Sequence, residues 1–469
     1  MGQDEIPEND EGEEEIPESD KGMGNEEILE SSKGKGKEEI SESSKEVSIE
    51  IVQVDDNLLA SNMIACFPKQ AFSDSYFIYR VPTIFRNKGD EKQYEPSVVS
   101  IGPYHHGKDH LKTMEEKKYH YLQDLITRSN FLDEESSFQG IVNAIRELEE
   151  KARACYSESI SFNSDDFVRM MILDGCFLLE LFYQGVGSSH KCNPTFGETW
   201  RVNKLLQDLE LLENQLPFVV LNCLFNLTGD DPDCNHSLAQ LVISFFTGIQ
   251  ADEIQDCDSL HAQHILDLIH HFYVRDMHRN CLEVPVFIQY SATDLFEAGV
   301  KLKAKTDTPY GKFDITFNDG VLAIPSICFD DTFTIRLKNF IAFEQCCGGY
   351  AKLITSYATL LDGLVNTKED VKLLRGKGII NVARKEDELV AAEINSLCSK
   401  GAYVDHFYYT DLCSKLNAYR QTDWHKWRAI LKHDYFNTPW ATLSFVAAVV
   451  LLVLTSLQTL FSILSYYSS

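Results

Sequence analysis

ATLSFVAAVVLLVLTSLQTLFSIL, residues 441–464, is the stretch on which the architecture turns. It runs without a charge, and at 1.5 Å per residue it makes a helix of about 36 Å, against a bilayer hydrocarbon core of about 30 Å. Gln458 is its one strongly polar side chain. Trp440 on one side and Tyr466-Tyr467 on the other stand where aromatic belts stand in membranes. A buried core helix of this length would keep some polar face, so the sequence predicts a transmembrane helix over 440–464, with the lipid bilayer as its partner. Arg420, Lys426, Arg428 and Lys432 precede the span and no basic residue follows it. The positive-inside rule therefore places the N-terminal body in the cytosol, without distinguishing plasma membrane from endomembrane.

Upstream, apolar residues recur at helical spacing over 403–433, 386–399 and 345–365, and again over 258–274, 199–213, 165–183, 138–156 and 111–128. Two stretches break this pattern. Residues 312–343 alternate in Phe313-Asp314-Ile315-Thr316-Phe317, turn at Asn318-Asp319-Gly320, and continue through Val321–Pro325 and Phe333–Leu337, which predicts a small antiparallel sheet with at least one hairpin. Residues 78–110 hold Pro82, Pro96, Gly102, Pro103 and Gly107, which predict turns and extended chain with a short strand at Ser97–Ile101. The expected fold is mainly α: a multi-helix body over 47–438, a small β insertion at about 312–343 and one C-terminal transmembrane helix.

Residues 1–46 repeat an acidic unit, as in Glu14-Glu15-Ile16-Pro17-Glu18 and Glu38-Glu39-Ile40-Ser41-Glu42. One Ile per unit cannot bury enough surface to offset chain entropy, so a disordered tail is expected, with Ser43 and Ser44 open to phosphorylation. The tail carries roughly −12 of the net charge of −29 over 469 residues. Such acidity excludes an extended nucleic-acid-binding face. No apolar run that would serve as a signal peptide occurs in the first 50 residues, and Ile6 breaks the myristoylation pattern begun by Met1-Gly2. The 13 cysteines are odd in number, irregularly spaced and without a CxxC, which predicts reduced, buried thiols. Two glycosylation sequons, Asn226-Leu227-Thr228 and Asn235-His236-Ser237, matter only if the body is luminal.

Candidate polar sites are few. His105, His106 and His110 cluster, as do His261, His264, His270 and His271, but no HExxH supports a metal site and none is expected. Asp174 interrupts the apolar stretch Phe167–Phe182, so its carboxylate requires a partner. Arg80 or Arg86 is the expected one, and a catalytic Asp with a raised pKa is the alternative. Glu213, Asn214 and Gln215 end a helix before Pro217, where they satisfy backbone groups or form a polar niche. The P-loop, the Rossmann fingerprint, the GxSxG elbow and the kinase motifs are all missing, so neither an enzyme nor a cofactor is expected.

Several motifs taken together carry a resemblance. They are Ile78-Tyr79-Arg80-Val81-Pro82, the run from Tyr94 to Gly107, Met114-Glu115-Glu116-Lys117, Asp174–Glu180, Leu211–Pro217, Asn339–Gln345 and Tyr435–Trp440. From about Phe77 onward the chain resembles the plant "domain of unknown function 247" family of membrane proteins, the UPF0481 group. That resemblance implies a single C-terminal span and a plant source. Some relatives are implicated in grass self-incompatibility, which implies recognition or signalling through protein partners. Two alternatives stand beside this reading: a hydrolase-like enzyme of unrecognised type using His105/His106 with Asp174, and a luminal or cell-surface recognition protein of reversed topology.

Overall fold

The helical periodicity resolves into fifteen α-helices among the described residues of a computed structural model. The structure describes residues 61, 76–86, 91–129, 134–186, 199–229, 236–255, 257, 261–275, 277, 284–305, 312–382, 385–398, 402–422 and 439–468. Two units divide the chain, Met1–Phe72 and Ser73–Ser469. Apart from residue 61 the first unit lies outside the described residues, and with it the expected tail at 1–46 and the onset of order near Val47.

In chain order the helices are α1 (Lys112–Arg128), α2 (Glu134–Glu147), α3 (Glu149–Arg153), α4 (Ser164–Val186), α5 (Thr199–Leu209), α6 (Phe218–Thr228), α7 (Leu238–Thr247), α8 (Ile265–Val274) and α9 (Ala292–Glu297). After a β segment come α10 (Asp331–Cys346), α11 (Leu353–Leu364), α12 (Lys368–Gly376), α13 (Asp387–Asn395), α14 (Thr410–Gln421) and α15 (Pro439–Ser468). The axis of the core is α4, buried without interruption from Met170 to Tyr183. A helix apolar on every side must be surrounded, and α1, α2, α6 and α7 pack around it. Its start is fixed by Asn163, whose Oδ1 accepts from Asp166 N at 2.8 Å while its Nδ2 donates to Asp166 Oδ2. Asp165 and Asp166 also face the positive end of the helix dipole. Capping boxes at Ser237/Gln240 and Ser291/Asp294 fix the starts of α7 and α9 in the same way.

The β segment is mixed rather than wholly antiparallel. Strand β1 (Lys301–Lys305) pairs parallel with β3 (Val321–Pro325), and β2 (Thr316–Asn318) pairs antiparallel with β3. A second pair joins β4 (Ile327–Cys328) to β5 (Ile380–Asn381) in parallel. The expected hairpin is present, with Asn318 opposite Val321 and Asp319 and Gly320 both at positive φ, as a two-residue turn demands. Phe333–Leu337, expected as a strand, is instead the first turns of α10. Asp330 stands extended before it and its carboxylate accepts from Phe333 N at 2.8 Å, an N-cap that starts a helix where five alternating residues fitted either period. The expected strand at Ser97–Ile101 forms no ladder.

All nine described cysteines are free thiols. Burial pushes Cys155 up to about 11 and Cys176 and Cys413 up to about 12, so these thiols stay protonated and weakly nucleophilic at neutral pH.

Gly320 has a φ of 75°, and a Cβ there would stand 2.9 Å from the Tyr419 hydroxyl. Gly320→Ala is therefore expected to lower stability by about 1–2 kcal/mol, read as a lower urea midpoint at unchanged m-value.

Candidate functional site

Among the described residues, 76–86 and 91–110 run across the helical body without a strand ladder, with an isolated bridge between Ile78 and Tyr156. Their backbone N–H groups, several fully buried, still need acceptors. Side chains from the helices supply them. Asp208 on α5 accepts from Ser97 N, Val98 N and Val99 N at 2.9, 2.6 and 3.0 Å. Asn214 accepts from Ile101 N at 2.7 Å and returns its amide to Val99 O and Asp208 O. Asp174 accepts from Gly102 N at 2.7 Å, and Glu213 accepts from Val81 N at 2.7 Å. Gly102 has a φ of 71°, and a Cβ would meet Gln215 O at 2.6 Å, so only glycine lets the chain lie this close.

The carboxylates that make these bonds are themselves buried and need countercharges. Asp174 finds Lys118 of α1, 2.5 Å away and as fully buried as itself; Lys118 also donates to Ser100 O at 2.5 Å and pairs with Glu115 at 2.6 Å. The expected partners Arg80 and Arg86 are therefore not those of Asp174. Both turn to Glu213: Arg86 donates to its Oε1, and Arg80 lies 3.8 Å from its Oε2 while also pairing with Glu158. The reason is geometric, because Lys118 projects from the helix packed along α4, whereas both arginines leave the irregular segment where it crosses the turn after α5. His105, 1% exposed, places Nε2 3.1 Å from Glu213 Oε2. Burial pushes Glu213 upward, but His105, Arg86 and the Val81 N–H outweigh it and hold the carboxyl below its ordinary value. Burial drives His105 the other way, towards the neutral imidazole. Asp208 has three backbone donors, and burial nonetheless pushes it up to about 6.

A second polar layer lies on α8 and α10. Gln215 donates to Leu209 O and Leu211 O and accepts from Leu266 N. Asn339 accepts from Leu212 N and donates to Gln93 O. Glu344 accepts from Ile354 N, Thr355 N, the Thr355 hydroxyl and His270 Nε2, all within 2.8 Å. His264 caps α8: its Nδ1 accepts from Asp267 N at 3.1 Å and its Nε2 lies 3.1 Å from Phe77 O. That pattern fixes the Nε2–H tautomer, and burial lowers the imidazole to about 4.

His105, His106 and His110 do not assemble, whereas His264 and His271 both meet Asp267 and His271 stacks edge-on with His270. His105 faces Glu213, His106 lies 3.7 Å from Glu115, and His110 contacts Pro96 O at 3.1 Å. Among the described residues no group of three or more His, Cys, Asp or Glu side chains is placed to hold a metal ion. No hydrogen bond joins Asp174 to His105 or His106 among the described residues. None of the three lines any of the described cavities of about 590, 470 and 310 Å³. The hydrolase arrangement needed all three in one concavity. Lys118 and Asp208 are the partners missed from sequence. Lys118 left a signal, since Met114, Lys118, Tyr121 and Leu125 follow helical spacing along one buried stripe, where a lysine demands a carboxylate. Asp208 left none beyond its place beside Leu209.

A helical body whose irregular segment is stapled down by buried carboxylates and amides, continued by a long apolar helix, defines the class of protein at hand. The chain belongs to the family described as plant protein of unknown function, domain of unknown function 247, whose match spans residues 78–454. A UPF0481 protein of Arabidopsis thaliana is 29% identical over 428 residues, covering 85% of this chain and 88% of the relative. A second from the same plant is 26% identical over 471 residues, covering 79% and 87%. No solved structure matches.

Lys118→Met leaves Asp174 buried and uncompensated, and is expected to cost about 3–5 kcal/mol by chemical denaturation. The double variant with Asp174→Asn, which keeps an acceptor for Gly102 N, is expected to recover more than half of that loss. Independence of the two substitutions would contradict the pairing.

His264 binds a proton more weakly folded than unfolded, so its contribution to stability is complete above its unfolded pKa and is lost as pH falls from about 6.5 to about 4. Asp208 acts in the opposite sense, because its raised pKa favours the folded state on the acid side. The comparison is therefore between wild type and His264→Asn, which retains a capping acceptor but does not titrate. The variant is expected to lose up to about 3 kcal/mol less between pH 7 and pH 4, measured by urea melts across that range.

Proposed function

We propose that the chain is a membrane-anchored interaction protein whose helical body meets protein partners at the cytosolic face. The observation that carries this reading is α15. Leu443–Ser465 has a mean hydropathy of 2.2, and none of it is buried in the protein. A helix of 23 residues with side chains such as Leu451, Leu452 and Phe461 more than 60% exposed is a poor solute in water and a good one in lipid. The engagement of Asp174, Glu213 and His105 in holding the fold supports a binding rather than a catalytic role.

Cytosolic placement of the body is supported by the basic residues ahead of the span. Of the two sequons, Asn226 is exposed on α6, but the Thr228 hydroxyl is buried and donates to Leu224 O at 2.8 Å, which removes it from an acceptor site in the folded protein. Asn235 lies outside the described residues.

The full-length chain is expected to sediment with membranes and resist carbonate extraction, and removal of 439–469 is expected to release a folded, soluble body. Proximity labelling from the intact chain should then enrich proteins that the anchor-deleted control does not. Full-length protein in the supernatant without detergent would overturn the anchor. A mobility shift on enzymatic deglycosylation would overturn the orientation.

A further inference from the structure

One face of α15 is chemically unlike the rest of that helix. Ser444, Ala448, Leu451, Thr455, Gln458, Ser462 and Ser465 succeed one another at spacings of four and three, which sets them along one seam with a seven-residue period. Six of these seven are small or polar. The opposite face presents Val446, Val450, Val453, Leu457, Leu460 and Leu464.

Three hydroxyls of this helix are satisfied within it. Thr455 donates to Leu451 O at 2.7 Å, Ser456 to Leu452 O at 2.8 Å and Thr459 to Thr455 O at 2.8 Å. Gln458 has no such outlet, and no hydrogen bond reaches its carboxamide among the described residues. It stands about 6 Å from the midpoint of Leu443–Ser465 and about 10 Å from the C-terminal end of that span. Its side chain is too short to reach the headgroups from there. A polar group at that depth, with neither water nor a neighbour, is heavily disfavoured and seeks a partner on another helix.

We propose that the Gln458 face of α15 pairs with the same face of a second copy of this chain inside the membrane. This rests on α15 being a membrane span. Self-pairing follows from the carboxamide itself, which carries both a donor and an acceptor. Two copies inserted with the same orientation are related by a two-fold axis along the membrane normal, which sets each seam position opposite its own counterpart. The NH2 of one Gln458 then donates to the carbonyl of the other, and the reverse bond closes the pair. Ser444, Ala448 and Ser462 let the backbones approach, and the seven-residue period selects a left-handed crossing.

Two differently tagged full-length copies, co-expressed and read by energy transfer in intact membranes and by co-capture in mild detergent, test this. Wild type is expected to associate. Gln458→Leu is expected to weaken association roughly three- to tenfold, with Ala448→Leu acting in the same direction. Gln458→Asn should restore part of the loss, and Val453→Ala on the opposite face should change nothing. All variants should remain carbonate-resistant. Gln458→Leu copies that pair as well as wild type, while still embedded, would overturn the pairing and leave the span intact. Wild type released by carbonate would overturn the span and the pairing with it. A wild-type chain that is monomeric in the membrane but loses a different membrane protein on Gln458→Leu would assign the face to that other partner and overturn self-pairing.

Discussion

A buried N–H without an acceptor is what this fold must avoid between residues 76 and 110. Proline and glycine prevent that stretch from joining a sheet, yet Val99, Ile101 and Gly102 lie in the interior. The solution is to bring acceptors to the backbone on side chains of Asp174, Asp208, Glu213 and Asn214. Each carboxylate so recruited imposes a further demand. Asp174 requires the buried ammonium of Lys118, and Glu213 requires Arg86 and His105. The charge-rich inner layer is thus a consequence of the irregular segment, and the residues that first suggest catalysis are those that let the chain leave regular structure without orphaning its amides.

The same rule operates on α4 and α15, the two longest helices among the described residues, with opposite outcomes. In α4 the Asp174 carboxylate, amid apolar side chains, is met inside the protein by a cation and a backbone donor. In α15 one carboxamide amid apolar side chains has nothing of its own body around it. A polar group in a low-dielectric setting is a statement about a neighbour: Asp174 finds its own within the chain, and the proposed pairing would give Gln458 one from a second copy.

Helix existence was legible because the periodicity over 165–183 or 111–128 is long enough to separate a 3.6-residue repeat from a two-residue one. It failed at Phe333–Leu337, where five residues fit both, and the deciding group, Asp330, lies outside the alternating run. The hairpin was legible from Asp319-Gly320, since few dipeptides accept two positive φ angles. The need for a partner at Asp174 could be read from its surroundings, but not which partner: Lys118, Arg80 and Arg86 are equivalent in charge, and only the packing of α1 on α4 separates them. Side-chain to backbone bonds such as Asp208 to 97–99 span more than a hundred residues and leave no local trace.

The staples also order the events of synthesis. Val81 waits for Glu213, 132 residues later, and the Gln93 carbonyl waits for Asn339, 246 residues later. A stretch translated early thus remains without its hydrogen-bond partners until the helices near the middle of the chain, and then α10, have emerged. Contacts of such sequence separation form slowly, so a nascent chain holds a proline- and glycine-rich segment open until at least residues 208–214 have emerged, an exposure during which chaperones have access to it.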